Sequence, residues 1–430
     1  MKNLKMYKYI FFVFILLTDL CVYAQADTLT VERCIDIALK NNPQVKIAES
    51  NFESTDAGLT SARSVLFPQL SLNSGWNRNG GNFFQGPTAR EATYENYSYG
   101  FQLNQLIYDF GKTYSKVSAN SELKNASVQD LIAAKQGLVL NTYTAYFNYL
   151  QAARVKKVSA ESLKQAEEHL LQAEKFFEVG KKPQFDVLKA KTDVANAKVS
   201  YITAENNLVV AKLQFENTLN VKLPANFILK DNLDIIQDSV ALRSAIQYST
   251  QNRPELISAK YRVEANKAFV SSAWDANLPS VSLTGGYNWK TYDLKKTFLD
   301  SWNLGVSLSL PIFQGFGLQS GIDQAKANLK NAEAQLETLN NSVELDVQQQ
   351  YYNLQLAYTK IDATQTLLKQ AEETLNIAEG RYQQEIGSPI EITDARITLL
   401  NSQLQNIQAL YDYQVAAVRL QKAMGALKYN

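Results

Sequence analysis

From Gly111 to Val179 the chain contains no proline, one internal glycine (Gly137), and Ala, Leu, Lys, Gln and Glu throughout. Apolar residues at helical spacing over that span predict one helix of about 112–179, roughly 100 Å long at 1.5 Å per residue. A partner helix is predicted over about 185–220, where Val187, Ala190, Val194, Ala197, Tyr201, Ala204, Leu208, Ala211 and Phe215 keep a 3,4 spacing. The pattern returns over about 317–385 and 390–425, the last carried by Ile392, Ala395, Leu399, Ser402, Asn406, Ala409, Tyr413, Ala416 and Leu420. Such seams require neighbouring helices packed knobs into holes, with alanines permitting close approach. Alone they describe a helical hairpin or rod as readily as a hollow bundle.

Two shorter helices open the chain, one through Ala38-Leu39 and a second from Pro43 to about Val65, and Pro68 ends the helical period. The period then becomes two. Leu70, Leu72, Ser74 and Trp76 alternate with Ser71, Asn73, Gly75 and Asn77; after Asn77 to Asn96, read as a long exposed loop, Tyr97, Tyr99, Phe101 and Leu103 alternate with Ser98, Gly100, Gln102 and Asn104. Two further strands follow, Val281, Leu283, Gly285, Tyr287 and Trp289, then Trp302, Leu304, Val306, Leu308 and Leu310. The four are expected over about 68–77, 97–108, 279–290 and 301–313. Their length, their polar and apolar faces, and Trp76, Trp289 and Trp302 at the ends of apolar faces fit a transmembrane β-barrel with interfacial aromatics. A soluble antiparallel sheet alternates in the same way.

A long-range repeat organises these elements. Leu163-Lys164-Gln165-Ala166-Glu167-Glu168 returns as Leu368-Lys369-Gln370-Ala371-Glu372-Glu373, and Tyr146-Phe147-Asn148 as Tyr351-Tyr352-Asn353, both at an offset of 205 residues. The chain therefore reads as a first structural repeat, 25–220, an acidic linker, 221–238, and a second repeat, 239–430. Each copy is helix, helix, strand, strand, very long helix, long helix. Strands gathered at one end and helix tips at the other make an axial object. Four strands are half of the roughly eight in the smallest common membrane barrels, so several chains must share one.

Residues 1–24 read as a cleaved secretory signal: Lys2, Lys5 and Lys8, an apolar run from Tyr9 to Leu17, and Val22-Tyr23-Ala24. Asp19-Leu20 before Cys21 lacks the small residues of a lipidation site, and cleavage leaves Cys34 alone, read as a small buried residue. With 43 Lys and Arg against 42 Asp and Glu, no basic excess exists to neutralise nucleic-acid phosphates. His169, the single histidine, lies in Glu167-Glu168-His169-Leu170 and reads as a surface helical residue. No catalytic constellation, metal site, phosphate-binding loop or cofactor is expected, and the chain is not read as an enzyme.

The doubled order resembles the TolC family of outer-membrane efflux and secretion channels. The residues that carry the likeness are the two Leu-Lys-Gln-Ala-Glu-Glu segments, Pro68 and Pro279 entering the strands, and Ile107-Tyr108-Asp109-Phe110-Gly111 with Pro311-Ile312-Phe313-Gln314-Gly315 leaving them. The resemblance implies a mainly α protein with a transmembrane β-barrel portion, a homotrimer whose shared barrel continues into a periplasmic helical tunnel. It implies as partners a periplasmic adaptor, an inner-membrane transporter and outer-membrane lipid. Adaptor docking falls on Val179-Gly180-Lys181 and Ile386-Gly387-Ser388, whose glycines read equally as helix caps. Asp186 and Tyr382 match the family's gate aspartate and tyrosine, and Glu391 and Asp394 its acidic entrance. The gate's usual arginine is missing from Glu385-Ile386-Gly387-Ser388-Pro389, so closure is expected either to be weaker or to use Lys181 or Lys182. The implied function is the gated outer-membrane conduit of a tripartite efflux or type I secretion system. The competing reading is a non-conducting exported helical trimer that scaffolds the envelope, which has no need of two half-apolar hairpins.

Overall fold

The computed structural model describes residues 28–82, 91–224, 227–231, 233, 240–384 and 386–428. The segment read as a signal lies outside the described residues, as does much of the linker. The elements in chain order are β1 (Thr28–Leu29), α1 (Val31–Asn41), α2 (Pro43–Ser64), β2 (Gln69–Asn82), β3 (Glu91–Tyr108), α3 (Lys112–Glu178) and α4 (Gln184–Leu219). Then come β4 (Ile228–Leu229), α5 (Leu242–Asn252), α6 (Pro254–Asp275), β5 (Ser280–Thr291), β6 (Leu299–Ser309), α7 (Gly317–Gln383) and α8 (Pro389–Met424). The duplication is visible in the lengths: α3 and α7 have 67 residues each, α4 and α8 have 36 each, α2 and α6 have 22 each.

The helices form a palisade four wide. Near the sheet, α3 packs between α2 and α6, with α7 beyond α6; further down, α3 packs between α4 and α8, with α7 beyond α8. The two short helices of each copy meet end to end and so match one long helix. In the first copy Asn42 caps α2 by accepting from Gln44 N at 2.9 Å and donates to Thr218 O at 2.9 Å, while Asn220 donates to Asn41 O at 3.0 Å. In the second, Arg253 and Gly425 occupy the equivalent positions. Arg253 is buried and donates to Asp346 Oδ2 at 2.7 Å and Ala423 O at 3.3 Å. Gly425 has φ +77°, and a Cβ there would lie 2.8 Å from Arg253 Cα, so only glycine lets the ends meet.

The main apolar core lies at these junctions. Cys34, Leu138, Phe147, Phe215, Tyr411 and Val415 pack there beneath the two-residue parallel pair β1–β4. Tyr146 Oη lies 2.6 Å from Lys230 O, fastening the linker to α3. Burial pushes the Cys34 thiol up to about 12, as expected of an inert packed residue.

The sheet is an antiparallel meander, β2-β3-β5-β6, and β3–β5 joins the two copies. Leu72, Phe101, Tyr287 and Trp302 stand opposite one another in one row, and Asn73, Gly100, Asn288 and Ser301 in the next. Apolar and polar faces are thereby continuous across all four strands. Much of the apolar face is open: Leu70, Trp302, Leu304 and Leu308 are all about two-thirds or more exposed. The expected loop from Asn77 to Asn96 is incorrect. Pairing runs on from Asn77↔Asn96 to Asn82↔Glu91, leaving only residues 83–90 outside the described strands. Asn, Gly and Thr are poor strand formers, but ladder pairing overrides that preference here.

Candidate functional site: the helix tips

The two helical hairpins turn by different means. At the end of α3, Gly180 takes φ +72° and Lys181 N donates to Phe176 O at 2.8 Å, a left-handed C-cap. At the end of α7, Ile386 N and Gly387 N both donate to Arg381 O at 3.0 Å, and Gly387 is not left-handed. A Cβ on Gly387 would lie 2.9 Å from Tyr382 N, so close approach excludes larger residues there. Ser388 Oγ accepts from Ile390 N at 3.2 Å, starting α8 with Pro389 in its first turn. Val179 and Ile386 are each 68% exposed, and Lys181 is exposed between the hairpin arms.

Tyr382 is the hub of the tip. It is 1% exposed, packs with Leu375, Ala378, Ile392 and Ala395, and donates from Oη to Asp186 Oδ2 at 3.4 Å. Asp186, in the first turn of α4, is itself buried. Lys182 Nζ stands 4.6 Å from the centre of the Tyr382 ring, a cation–π contact. Burial first, and then the Asp186 charge, push the Tyr382 phenol up to about 12.

His169 corrects the sequence reading. It is 5% exposed, not on the surface, and its ring lies edge-on to Tyr382 at 5.4 Å. The buried seam of α3 here runs Ala166, His169, Ala173, while Phe177 one turn further is 45% exposed. Burial, reinforced by the Arg396 charge, pushes the imidazole down to about 4, so it is neutral at ordinary pH.

The acids of the tip are not a bare ring. Glu391 and Asp394 are both exposed on α8, but Arg381 Nε holds Glu391 Oε2 at 3.2 Å. Arg381 lies in the last turn of α7, just before the turn that lacks an arginine. A second arginine, Arg396, donates to Glu379 Oε1 at 2.9 Å and to Gln165 O on α3 at 3.3 Å. It lies between a cavity of about 600 Å³ beneath Tyr382 and one of about 870 Å³ extending up between α3 and α8 to Asp231. Thr393 Oγ1 donates to Asp193 Oδ2 at 2.7 Å, and Lys189 Nζ holds the other oxygen of Asp193 at 2.7 Å. The sequence reading passed over Asp193, Thr393 and Arg396. One signal was available: Asp193 lies seven residues after Asp186, hence on the same helical face.

At the other end, Trp76 stands opposite Tyr97, Trp289 opposite Tyr99 and Trp302 opposite Tyr287, all on the apolar face. Trp76 and Trp302 are 57% and 74% exposed, while Trp289 stacks on Tyr99 at 5.1 Å. Among the described residues no cluster of His, Cys, Asp or Glu suits a metal ion, and no helix is long and apolar enough to cross a membrane.

An apolar-faced sheet with open edges, continuous with paired helices of about 100 Å, defines the duplicated helix-and-strand protomer of outer-membrane channels. The chain belongs to the outer membrane efflux protein family, whose profile matches residues 34–221 and 245–426. It is 27% identical over 409 residues to the outer membrane protein TolC of Escherichia coli, covering 90% of this chain and 80% of that one. It is 24% identical to the toluene efflux pump outer membrane protein TtgC of Pseudomonas putida, covering 93% and 84%. The Campylobacter jejuni CmeC outer membrane channel shares its fold, with a TM-score of 0.83 at 22% identity over 92% of this chain and 85% of that one. Members of this family are transport conduits, and the protein is not an enzyme.

Proposed function

We propose that the protein is the outer-membrane channel of a tripartite efflux assembly, active as a homotrimer and exported by a signal cleaved after Ala24. The observation that carries this is the open-edged sheet: β2 and β6 each lack a second partner among the described residues, and their apolar side chains Leu70, Leu72, Trp302, Leu304 and Leu308 are largely exposed. Exposed edges are unsatisfied backbone, which a bilayer does not tolerate, so in lipid the edges must pair. Pairing β6 of one chain with β2 of the next closes a barrel when three chains meet, with twelve strands in all. The apolar face then meets lipid, with Trp76, Trp289 and Trp302 at its boundary, and the Ser, Asn and Gly face lines the lumen.

The long helices continue that lumen through the periplasm. Their tips form the entrance, held shut by Tyr382 and Asp186 and edged by Glu391 and Asp394. Val179-Gly180-Lys181 and Ile386-Gly387-Ser388 are the turns on which a periplasmic adaptor docks, through the exposed Val179, Lys181 and Ile386, while Gly387 is buried against the Tyr382 backbone. An inner-membrane transporter reached through that adaptor supplies the energy. Two measurements test the reading together. The detergent-solubilised protein should have three times the protomer mass, and brominated lipid should strongly quench its tryptophan fluorescence. A monomer whose tryptophans no lipid depth quenches contradicts it.

A further inference from the structure

We propose that the principal lock of the entrance is the Thr393–Asp193 bond, with Tyr382–Asp186 secondary and Arg396 a third tie; the proposal rests on the channel reading. The two hairpins of one chain must part if their tips are to open, so the bonds between them decide the closed state. Among the described residues three side-chain hydrogen bonds cross from the α7/α8 hairpin to the α3/α4 hairpin at the tip. Tyr382 Oη to Asp186 is 3.4 Å, near the limit of a hydrogen bond. Arg396 Nη1 to the Gln165 carbonyl is 3.3 Å, and most of that guanidinium's strength is directed at Glu379 of its own hairpin.

Thr393 Oγ1 to Asp193 Oδ2, at 2.7 Å, is the short one. Thr393 is 6% exposed, and its other acceptor, Pro389 O at 3.1 Å, belongs to its own helix. Lys189, one turn earlier on α4, holds the other oxygen of Asp193 at 2.7 Å and so orients the carboxylate toward Thr393. A hydroxyl donating to a charged, oriented acceptor is about twice as strong as a neutral pair. Among the described residues α4 and α8 make little other direct contact, because α3 packs between them. The tie is also asymmetric. At the 205-residue offset Asp193 becomes Thr398 and Thr393 becomes Leu188, so each chain carries it once, on the side where its two hairpins meet.

The test is conductance of the purified trimer in a planar bilayer, with thermal melting of each variant as a control. Thr393→Val, which keeps shape and removes the hydroxyl, should raise the time-averaged conductance about tenfold, the effect of one charge-assisted bond. Tyr382→Phe should raise it less. Asp193→Asn should act like Thr393→Val, and the double variant should add nothing beyond either one. Thr393→Ser, which restores the hydroxyl, should bring the conductance back down. If Tyr382→Phe opens the channel and Thr393→Val does not, the lock is misassigned and the channel reading stands. If no variant and no wild-type preparation conducts, both are overturned.

Discussion

The end-to-end helix junctions give a prediction whose size follows from the contacts. Arg253 and Asn42 hold equivalent places in the two copies, but the first copy has a second tie, Asn220 to Asn41 O, where the second copy has the side-chain-less Gly425. Replacing Asn42 by Ala removes a cap and the bond to Thr218 O, about 1.5 kcal/mol after the remaining tie is allowed for. Replacing Arg253 by Ala removes bonds to Asp346, Glu255 and Ala423 O, from a side chain only 10% exposed. The two carboxylates are about one-third exposed and regain water, so each contributes no more than about 1 kcal/mol. The orphaned Ala423 carbonyl and lost packing together contribute about 1 kcal/mol more, for a total of about 3 kcal/mol. The difference of about 1.5 kcal/mol is roughly tenfold in a local opening equilibrium. Native-state hydrogen exchange should therefore show the α6–α8 junction of Arg253→Ala opening about ten times more readily than the α2–α4 junction of Asn42→Ala. Equal protection at the two junctions would refute this account of how the repeats diverged.

Three further outcomes are expected. In the proposed trimer Arg381→Ala should release three Glu391 carboxylates at the entrance and tighten block by a trivalent cation complex several-fold; unchanged block would place Glu391 away from the pore axis. His169 is held below its ordinary pKa of 6.5, at about 4, so its contribution to stability is complete above pH 6.5 and is lost as pH falls toward 4. It amounts to at most about 3 kcal/mol per chain, and His169→Gln should flatten the trimer's melting profile over that window; an identical profile would contradict the burial argument. Val179→Asp and Ile386→Asp should abolish assisted efflux in cells while leaving conductance of the purified channel intact. They test docking more cleanly than a substitution at Gly387, where any side chain meets the Tyr382 backbone.

The long helices and the duplication were legible because a period of 3.6 sustained over 67 residues leaves little room for another fold. The strands were legible from Leu70 to Trp76 and from Tyr97 to Leu103, where apolar residues mark one face. They were lost between Asn77 and Asn96, where neither face is apolar and only the partner strand imposes extension. At the tip, His169 was read as exposed from its charged neighbours Glu167 and Glu168, yet it shares the buried stripe of Ala166 and Ala173, three and four residues away on one helical face. Asp193 and Thr393 are 200 residues apart, and nothing local in either helix discloses the register that brings their side chains together.

The central claim is that the molecule conducts through a pore which is closed at its helix tips. Single-channel recording of the purified wild-type protein in a planar bilayer tests it most directly. The account predicts small, long-lived conductance steps that salt across the membrane can drive from either side, and that grow when the tip ties are cut. A trimer that inserts into lipid yet passes no ions, with or without intact ties, would make the molecule a scaffold and contradict the account.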